Sequence, residues 1–238
     1  MTFYDDDLAR THDEGFTDFV ARAGIVELLH ECSIDAGYVL DLGCGSGVLA
    51  RQLFDAGFEV TGIDASRAMI EIARRRAPGA TFVNASFHDV ELPACRAVVS
   101  IGECFNYLNA APDDPASLEA LIRRIHGALE RRGVLIFDVA LPGRAGHGTR
   151  QTNRVTEAWA VLSESTEQEG TLTRRITTFM RGADGTFRRS DEIHRLRLIP
   201  PETLMAMLDA CGFDARLLRA YPGVTFPDAY GAFVALKR

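Results

Sequence analysis

The run Tyr38-Val39-Leu40-Asp41-Leu42-Gly43-Cys44-Gly45-Ser46-Gly47 constrains this chain more than any other part of it. An apolar strand leads straight into three glycines at alternate positions, and residues 48–56 (VLARQLFDA) then read as a helix. Glycine lets the backbone turn sharply there and leaves room for a ligand against the main chain. The helix presents free N–H groups and the positive end of its dipole to whatever occupies the turn. The loop therefore reads as a ligand-binding turn suited to an anionic or zwitterionic group.

Gly45-Ser46-Gly47-Val48-Leu49-Ala50 fits the register of a G-x-G-x-x-A dinucleotide fingerprint. Against that reading, Asp41 stands inside the strand end, where a dehydrogenase strand is usually apolar. A carboxylate there can receive an ammonium group or fix the loop amides. The next apolar strand, 58–63, ends at Asp64, whose two oxygens can accept hydrogen bonds from both hydroxyls of a ribose. Two acids at adjacent strand ends suit a ligand that carries both an amino acid and a ribose.

V-L-D-L-G-C-G-S-G at 39–47 followed by V-T-G-I-D-A-S at 60–66 resembles the class I S-adenosylmethionine-dependent methyltransferases. Residues 80–89 resemble the third strand and adenine-contacting turn of that family, 97–103 its fourth strand and following loop, and 133–138 its fifth strand. The resemblance spans roughly residues 36–142, with a tail match over 200–237. It implies an α/β fold, a Rossmann-like doubly wound seven-stranded sheet with the last strand antiparallel, plus a small antiparallel β insertion after strand five. It also implies S-adenosyl-L-methionine as cofactor and S-adenosyl-L-homocysteine as product. Gly43, Gly45 and Gly47 would lie under the methionine part with Asp41 in support, and Asp64 would hold the ribose. Ser86 and Phe87 would flank the adenine, Cys44, Ala65 and Gly102 would belong to the same binding turns, and Glu103 with its neighbours would face the reacting methyl. The chain departs from the family at Ala85 or Ser86, where many members carry Asp. Its loop Gly102-Glu103-Cys104-Phe105-Asn106-Tyr107 also lacks the Asn/Asp-Pro-Pro-Tyr/Phe signature of nucleic-acid amino methylases. The implied acceptor is the nitrogen or oxygen of a small molecule.

The 238 residues, 47% of them hydrophobic, suffice for one large core. A net charge of −7 disfavours a nucleic-acid partner, which needs a concentrated basic face. The Arg74-Arg75-Arg76 run sits at the end of a helix before Pro78, where the helix dipole favours cations. Five cysteines without C-x-x-C spacing indicate neither a disulfide framework nor a zinc site, and no metal is expected. Asp5, Asp6 and Asp7 occupy the place where a signal peptide needs basic residues, and no stretch approaches the length of a membrane span. A cytoplasmic protein with no membrane partner is the expectation.

Four segments follow from the patterning. Residues 1–35 form a helical N-terminal lid and 36–142 the binding core. Residues 143–199 form an antiparallel β insertion, a substrate cover or a dimer contact, with strands at 154–164, 171–181 and 187–198. Residues 200–238 supply a helix at 201–210 and two strands, near 213–220 and 230–236, that complete the sheet. Monomer and homodimer are both open.

Methyl transfer needs the protein chiefly to align two ligands and exclude water. A neutral amine needs no general base, whereas a hydroxyl acceptor does. Candidates for such work are Glu103, Asn106, Tyr107, Asp138 and His194, with Tyr4 or His12 in the lid. Tyr4, Phe3 and Phe16 are candidates for cation–π contact with a sulfonium. His194 reads as a partly exposed strand histidine and Tyr107 as a core residue, while His30, His88, His126 and His147 lack metal-ligand spacing. Three other functions stay open: a protein or RNA methyltransferase, a non-catalytic S-adenosylmethionine-binding module, and an NAD(P)-dependent oxidoreductase in which Asp64 selects NAD.

Overall fold

The computed structural model describes residues 4–108, 115–146 and 148–238, so Phe3 and His147 lie outside the described residues. Three helices come first, α1 (Asp6–Gly15), α2 (Asp18–Arg22) and α3 (Ile25–Glu31). Strands and helices then alternate: β1 (Tyr38–Leu42), α4 (Val48–Asp55), β2 (Glu59–Asp64), α5 (Arg67–Arg76) and β3 (Thr81–Asn84). The core continues with β4 (Cys95–Ser100), α6 (Pro115–Ala128) and β5 (Leu129–Ala140). The insertion holds β6 (Thr149–Val155), β7 (Trp159–Gln168), β8 (Thr171–Arg181) and β9 (Phe187–Arg197). The chain closes with α7 (Pro201–Ala210), β10 (Phe213–Leu218), the short hairpin β11 (Ala220–Tyr221) and β12 (Val224–Thr225), and β13 (Tyr230–Lys237).

The main sheet has seven strands in the order β10-β13-β5-β4-β1-β2-β3. β13 runs antiparallel to both its neighbours, and β5 through β3 are parallel. This is the doubly wound sheet with an antiparallel last strand that the resemblance implies. Successive side chains of a strand face opposite sides, so the sheet divides its apolar residues between two cores. Val39, Val60, Val99 and Ile136 meet Leu28, Leu29 and Leu53 on one face. Leu40, Val98, Leu135 and Phe137 meet Leu121, Ile125, Leu204 and Leu208 on the other. Strand order reverses between β4 and β1, and in such sheets ligands bind outside the carboxyl ends of the strands at that crossing point. The loops after β1 and β4 meet there.

The insertion has four antiparallel strands in the order β6-β7-β8-β9, one more than the sequence pattern predicts. The expected strand at 154–164 straddles the β6–β7 turn. β6 is exposed along its whole length and reads T-R-Q-T-N-R-V, so no apolar alternation marks it. Glu169-Gly170 turns β7 into β8 and Asp184-Gly185 lies in the turn from β8 to β9, with Glu169 and Gly170 both at positive φ, +50° and +73°.

Phe137 is completely buried, its ring 5.1 Å from that of Phe233 and 5.0 Å from that of Phe105. It joins β5 to β13 and to the loop after β4. Phe137→Ala is expected to cost about 3–5 kcal/mol of stability, read from the midpoint of urea unfolding.

Candidate functional site

The glycine turn is held by the acid at the end of β2. Gly45 N–H donates to Asp64 Oδ2 at 2.9 Å and Ser66 N–H to Asp64 Oδ1 at 2.8 Å, while the amides of Gly43 and Cys44 donate to the Ile63 carbonyl. Gly47 stands at φ +78°, and a Cβ there would come within 2.9 Å of Ala73 Cβ, so α4 begins only where a residue without a side chain allows α5 to close in. A Cβ on Gly45, by contrast, would meet nothing within 4 Å: the turn faces open space. That space is a cavity of about 170 Å³ bounded by Asp41, Gly45, Asp64, Gly102, Cys104 and Tyr107, with Tyr4, His12 and Phe16 of the N-terminal segment closing it.

Asp41 is the most informative group in this cavity. It is 2% exposed, and its Oδ2 has no hydrogen-bond partner among the described residues. Burial, with the Asp64 charge adding to it, pushes the Asp41 carboxyl up to about 8. A buried carboxyl without a partner is costly, and a cation placed against it removes that cost. Burial also raises Asp64, although the Ser66 and Gly45 amides oppose it.

Asp41, Cys44, Gly45, Asp64, Gly102 and Tyr107 reach the cavity wall, while Gly43 and Gly47 shape the turn from behind. Ala65, Ser86, Phe87 and Glu103 do not line it. The Ala65 carbonyl accepts from the Asn84 side-chain amide at 3.0 Å, a link between β3 and this turn that no sequence motif announces. Ser86 Oγ accepts the His88 amide at 3.2 Å, and the Phe87 ring packs 5.8 Å from that of Phe105.

Glu103 and Asn106 are both engaged by partners within the protein. Glu103, at φ +62° and 6% exposed, accepts from Arg144 Nε at 2.8 Å and Arg174 Nη2 at 3.0 Å. Burial opposes ionisation of Glu103, yet Arg174 and Arg144 outweigh it and hold the carboxyl below its usual value. Asn106 is buried: its Nδ2 donates to the Ala140 and Arg197 carbonyls at 2.8 and 2.7 Å, and its Oδ1 accepts the Ala140 amide at 3.0 Å. That amide pins the end of β5 to the end of β9. Asp138 accepts the Gly102 and Glu103 amides and the Tyr221 hydroxyl, and burial raises its carboxyl to about 6. It fixes the loop after β4 from beneath.

A second cavity, of about 290 Å³, lies between α1 and the inner face of the insertion sheet. Tyr4, His12 and Phe16 belong to its wall and to that of the first cavity. At this shared wall the structure corrects the reading of His194, which is 0% exposed because α1 and the segment before it cover β9. The strand pattern alone cannot register a lid from another part of the chain. His194 Nε2 meets Glu192 Oε2 at 2.9 Å, and Tyr107 Oη lies 3.3 Å from His194 Nδ1 and 3.3 Å from Tyr4 Oη. A carboxylate only accepts, so Nε2 donates to Glu192, and in the neutral ring Nδ1 is then the acceptor that faces the Tyr107 hydroxyl. Glu192 also accepts the Tyr4 and Asp5 amides, at 2.8 and 2.9 Å, which makes it an anchor of the N-terminal segment as well. Burial lowers His12 to about 4, so its ring is neutral, and its Nδ1 has no partner among the described residues.

The N-terminal segment is also tied to the first cavity's turn. Arg76 Nη1 donates to Asp13 Oδ1 and to the Ser46 carbonyl at 2.6 Å each and to Ser46 Oγ at 2.7 Å, and Ser66 Oγ donates to the Tyr4 carbonyl at 2.7 Å. Arg76 therefore does more than satisfy a helix dipole: it couples α1 to the glycine turn. Among the described residues no cluster of His, Cys, Asp and Glu could hold a metal ion, and no helix is long and apolar enough to cross a membrane.

Residues 39–133 match a family described as "Methyltransferase domain". A putative methyltransferase of Geobacillus sp. (strain WCH70) is 30% identical over 172 residues, 66% of each chain. The dTDP-3-amino-3,6-dideoxy-alpha-D-glucopyranose N,N-dimethyltransferase of Streptomyces fradiae is 26% identical over 222 residues, 90% of this chain and 82% of that protein. A solved S-adenosylmethionine-dependent methyltransferase from Clostridium acetobutylicum superposes with a TM-score of 0.81 at 18% identity, over 96% of this chain and 97% of that one.

Glu103→Gln keeps the shape of the ion-pair centre but leaves two arginines facing a neutral amide. It is expected to destabilise the fold by about 2–4 kcal/mol, measured by chemical unfolding, because the arginine charges stay partly buried without their counter-ion.

Proposed function

This chain belongs to the class I S-adenosylmethionine-dependent methyltransferases, and from that premise we propose that it transfers a methyl group from S-adenosylmethionine to a nitrogen or oxygen of a small molecule held in the larger cavity. The observation that carries this reading is the unpartnered, buried Asp41 Oδ2 beside the glycine turn. It fits the ammonium end of an amino acid, and Asp64 on the next strand fits the hydroxyls of a ribose. A nicotinamide dinucleotide would leave Asp41 without a cation. The small-molecule, amine-type acceptor is supported by the 290 Å³ cavity and by the Streptomyces fradiae relative, whose name gives an amino-sugar N,N-dimethyltransferase. Cys32, Cys44, Cys95, Cys104 and Cys211 are free thiols, which suits the reducing cytoplasm we assign to it.

S-Adenosylmethionine, when bound, supplies a methyl group already activated on a sulfonium. The protein's own residues then have three tasks. Asp41, Asp64 and the turn at Gly43–Gly47 hold one ligand in the smaller cavity. Tyr4, His12 and Phe16 form the boundary at which the two ligands meet and close it to water. The Tyr4 hydroxyl, on the wall of both cavities, takes the acceptor's proton and passes its own to Tyr107 Oη, Tyr107 passes its own to His194 Nδ1, and Glu192 stabilises the imidazolium that results. Burial holds the Tyr107 hydroxyl well above its ordinary value, so it rests protonated and acts as a relay rather than as a phenolate.

Asp41 supplies the test. Its carboxyl, raised to about 8, carries a proton near neutrality and must ionise to pair with an ammonium group. Binding of S-adenosylhomocysteine at pH of about 6.5 is therefore expected to release about one proton, and the release to fade as the pH passes the Asp41 value. Affinity is expected to rise with pH over that window. Titration calorimetry in buffers of different ionisation enthalpy measures the release directly. Binding heats independent of buffer, or equal release from Asp41→Asn, contradict the assignment.

A further inference from the structure

The inner face of the insertion sheet changes character along its length. Toward one end Trp159, Val161, Ile176 and Met180 pack under Leu8 of α1. Toward the other, Arg150 pairs with Ser165 across β6 and β7, Ser165 with Arg174 across β7 and β8, and Arg174 with His194 across β8 and β9. Residues paired in this way project from the same face of a sheet, so Arg150, Ser165, Arg174 and His194 form a single row across it. The adjacent pair Thr152 and Ser163 lies beside that row. Arg150, Thr152, Ser163, Ser165 and Arg174 all line the larger cavity, with Arg144 entering from the loop after β5.

The charge of this wall is one-sided. No carboxylate stands among its described lining residues, in a chain of net charge −7. Arg144 and Arg174 share the single carboxylate of Glu103. Arg150 has neither an ion pair nor a hydrogen bond among the described residues. An edge strand often carries a solvated charge merely to deter pairing. The outer face of β6 follows that habit, with Gln151 bonded to Glu164. Arg150 points the other way, into a cavity floored by hydroxyls and a second arginine.

Building on the reading of the larger cavity as the acceptor site, we propose that the acceptor carries a carboxylate or phosphate group bound by Arg150, Ser165 and Arg174. Guanidinium groups recognise both oxyanions through paired N–H donors, and serine and threonine hydroxyls complete such sites. Arg150 and His194 stand three strand spacings apart, roughly 14 Å along the sheet. The anion is thus a recognition handle remote from the atom that receives the methyl group, and the acceptor's apolar part lies against Val161 and Ile176.

The test uses the whole protein, saturated with S-adenosylhomocysteine, titrated with pyrophosphate and separately with citrate at matched ionic strength. Arg150→Gln and Arg150→Lys break no hydrogen bond or ion pair among the described residues. At least one of the two anions is expected to bind the wild-type chain, with affinity about tenfold or more weaker in Arg150→Gln and largely kept in Arg150→Lys, while S-adenosylhomocysteine affinity stays the same. Preference for pyrophosphate identifies a phosphate handle, and preference for citrate a carboxylate one. No binding of either anion to the wild-type chain, or binding that Arg150→Gln leaves unchanged, overturns the proposal. Arg150-dependent anion binding in a chain that fails to take S-adenosylhomocysteine upholds the anion site and removes the methyl-transfer reading alone.

Discussion

One buried carboxylate, Glu103, holds the two halves of the site against each other. It sits on the loop after β4, at the carboxyl end of the parallel sheet, and its oxygens receive Arg144 from the loop after β5 and Arg174 from the middle of the insertion. Asp138 fixes the backbone of Gly102 and Glu103 from below. Burying an ion pair contributes little net stability, but it makes one arrangement far better than its alternatives. Here the arrangement it selects places the inner face of the insertion sheet over the crossing point of the core sheet, with a cavity on each side of Tyr4, His12 and Phe16.

The N-terminal helices complete that arrangement through bonds at both ends. Arg76 and Ser66 tie α1 and Tyr4 to the residues around the glycine turn, and Glu192 ties the same segment to the insertion. The wall between the cavities is therefore fastened to the loop that would hold one ligand and to the sheet that would hold the other. His194 owes its burial to this segment, and burial keeps the Tyr107 hydroxyl protonated. The burial of His194 follows from the N-terminal segment laid over β9, not from the strand that carries the histidine.

What the sequence makes legible is what depends on local pattern. The glycine turn, the acids at the ends of β1 and β2, the alternation of strands and helices and the antiparallel last strand are all written in short stretches. Asp41 and Asp64 are recognisable because a charged residue closes an otherwise apolar strand. The parts that stay hidden are those that long-range contacts create. β6 has no apolar alternation because neither of its faces is buried, so nothing marks it as a strand before β7 pairs with it. Glu103 looks like a carboxylate free to act until two arginines, 41 and 71 residues downstream, close on it. Glu192 looks like one polar position in an alternating strand, and its part in joining the N-terminal segment to His194 emerges only once Tyr4 and His194 converge on it.

The account stands on two ligands meeting at the wall of Tyr4, His12 and Phe16, one of them anchored by its ammonium group on Asp41. A crystal structure of the complex with S-adenosylhomocysteine tests this most directly. The account requires the amino group within hydrogen-bonding distance of Asp41 Oδ2 and the sulfur at the boundary with the 290 Å³ cavity. An amino group bound away from Asp41, or a sulfur turned from that boundary, contradicts it.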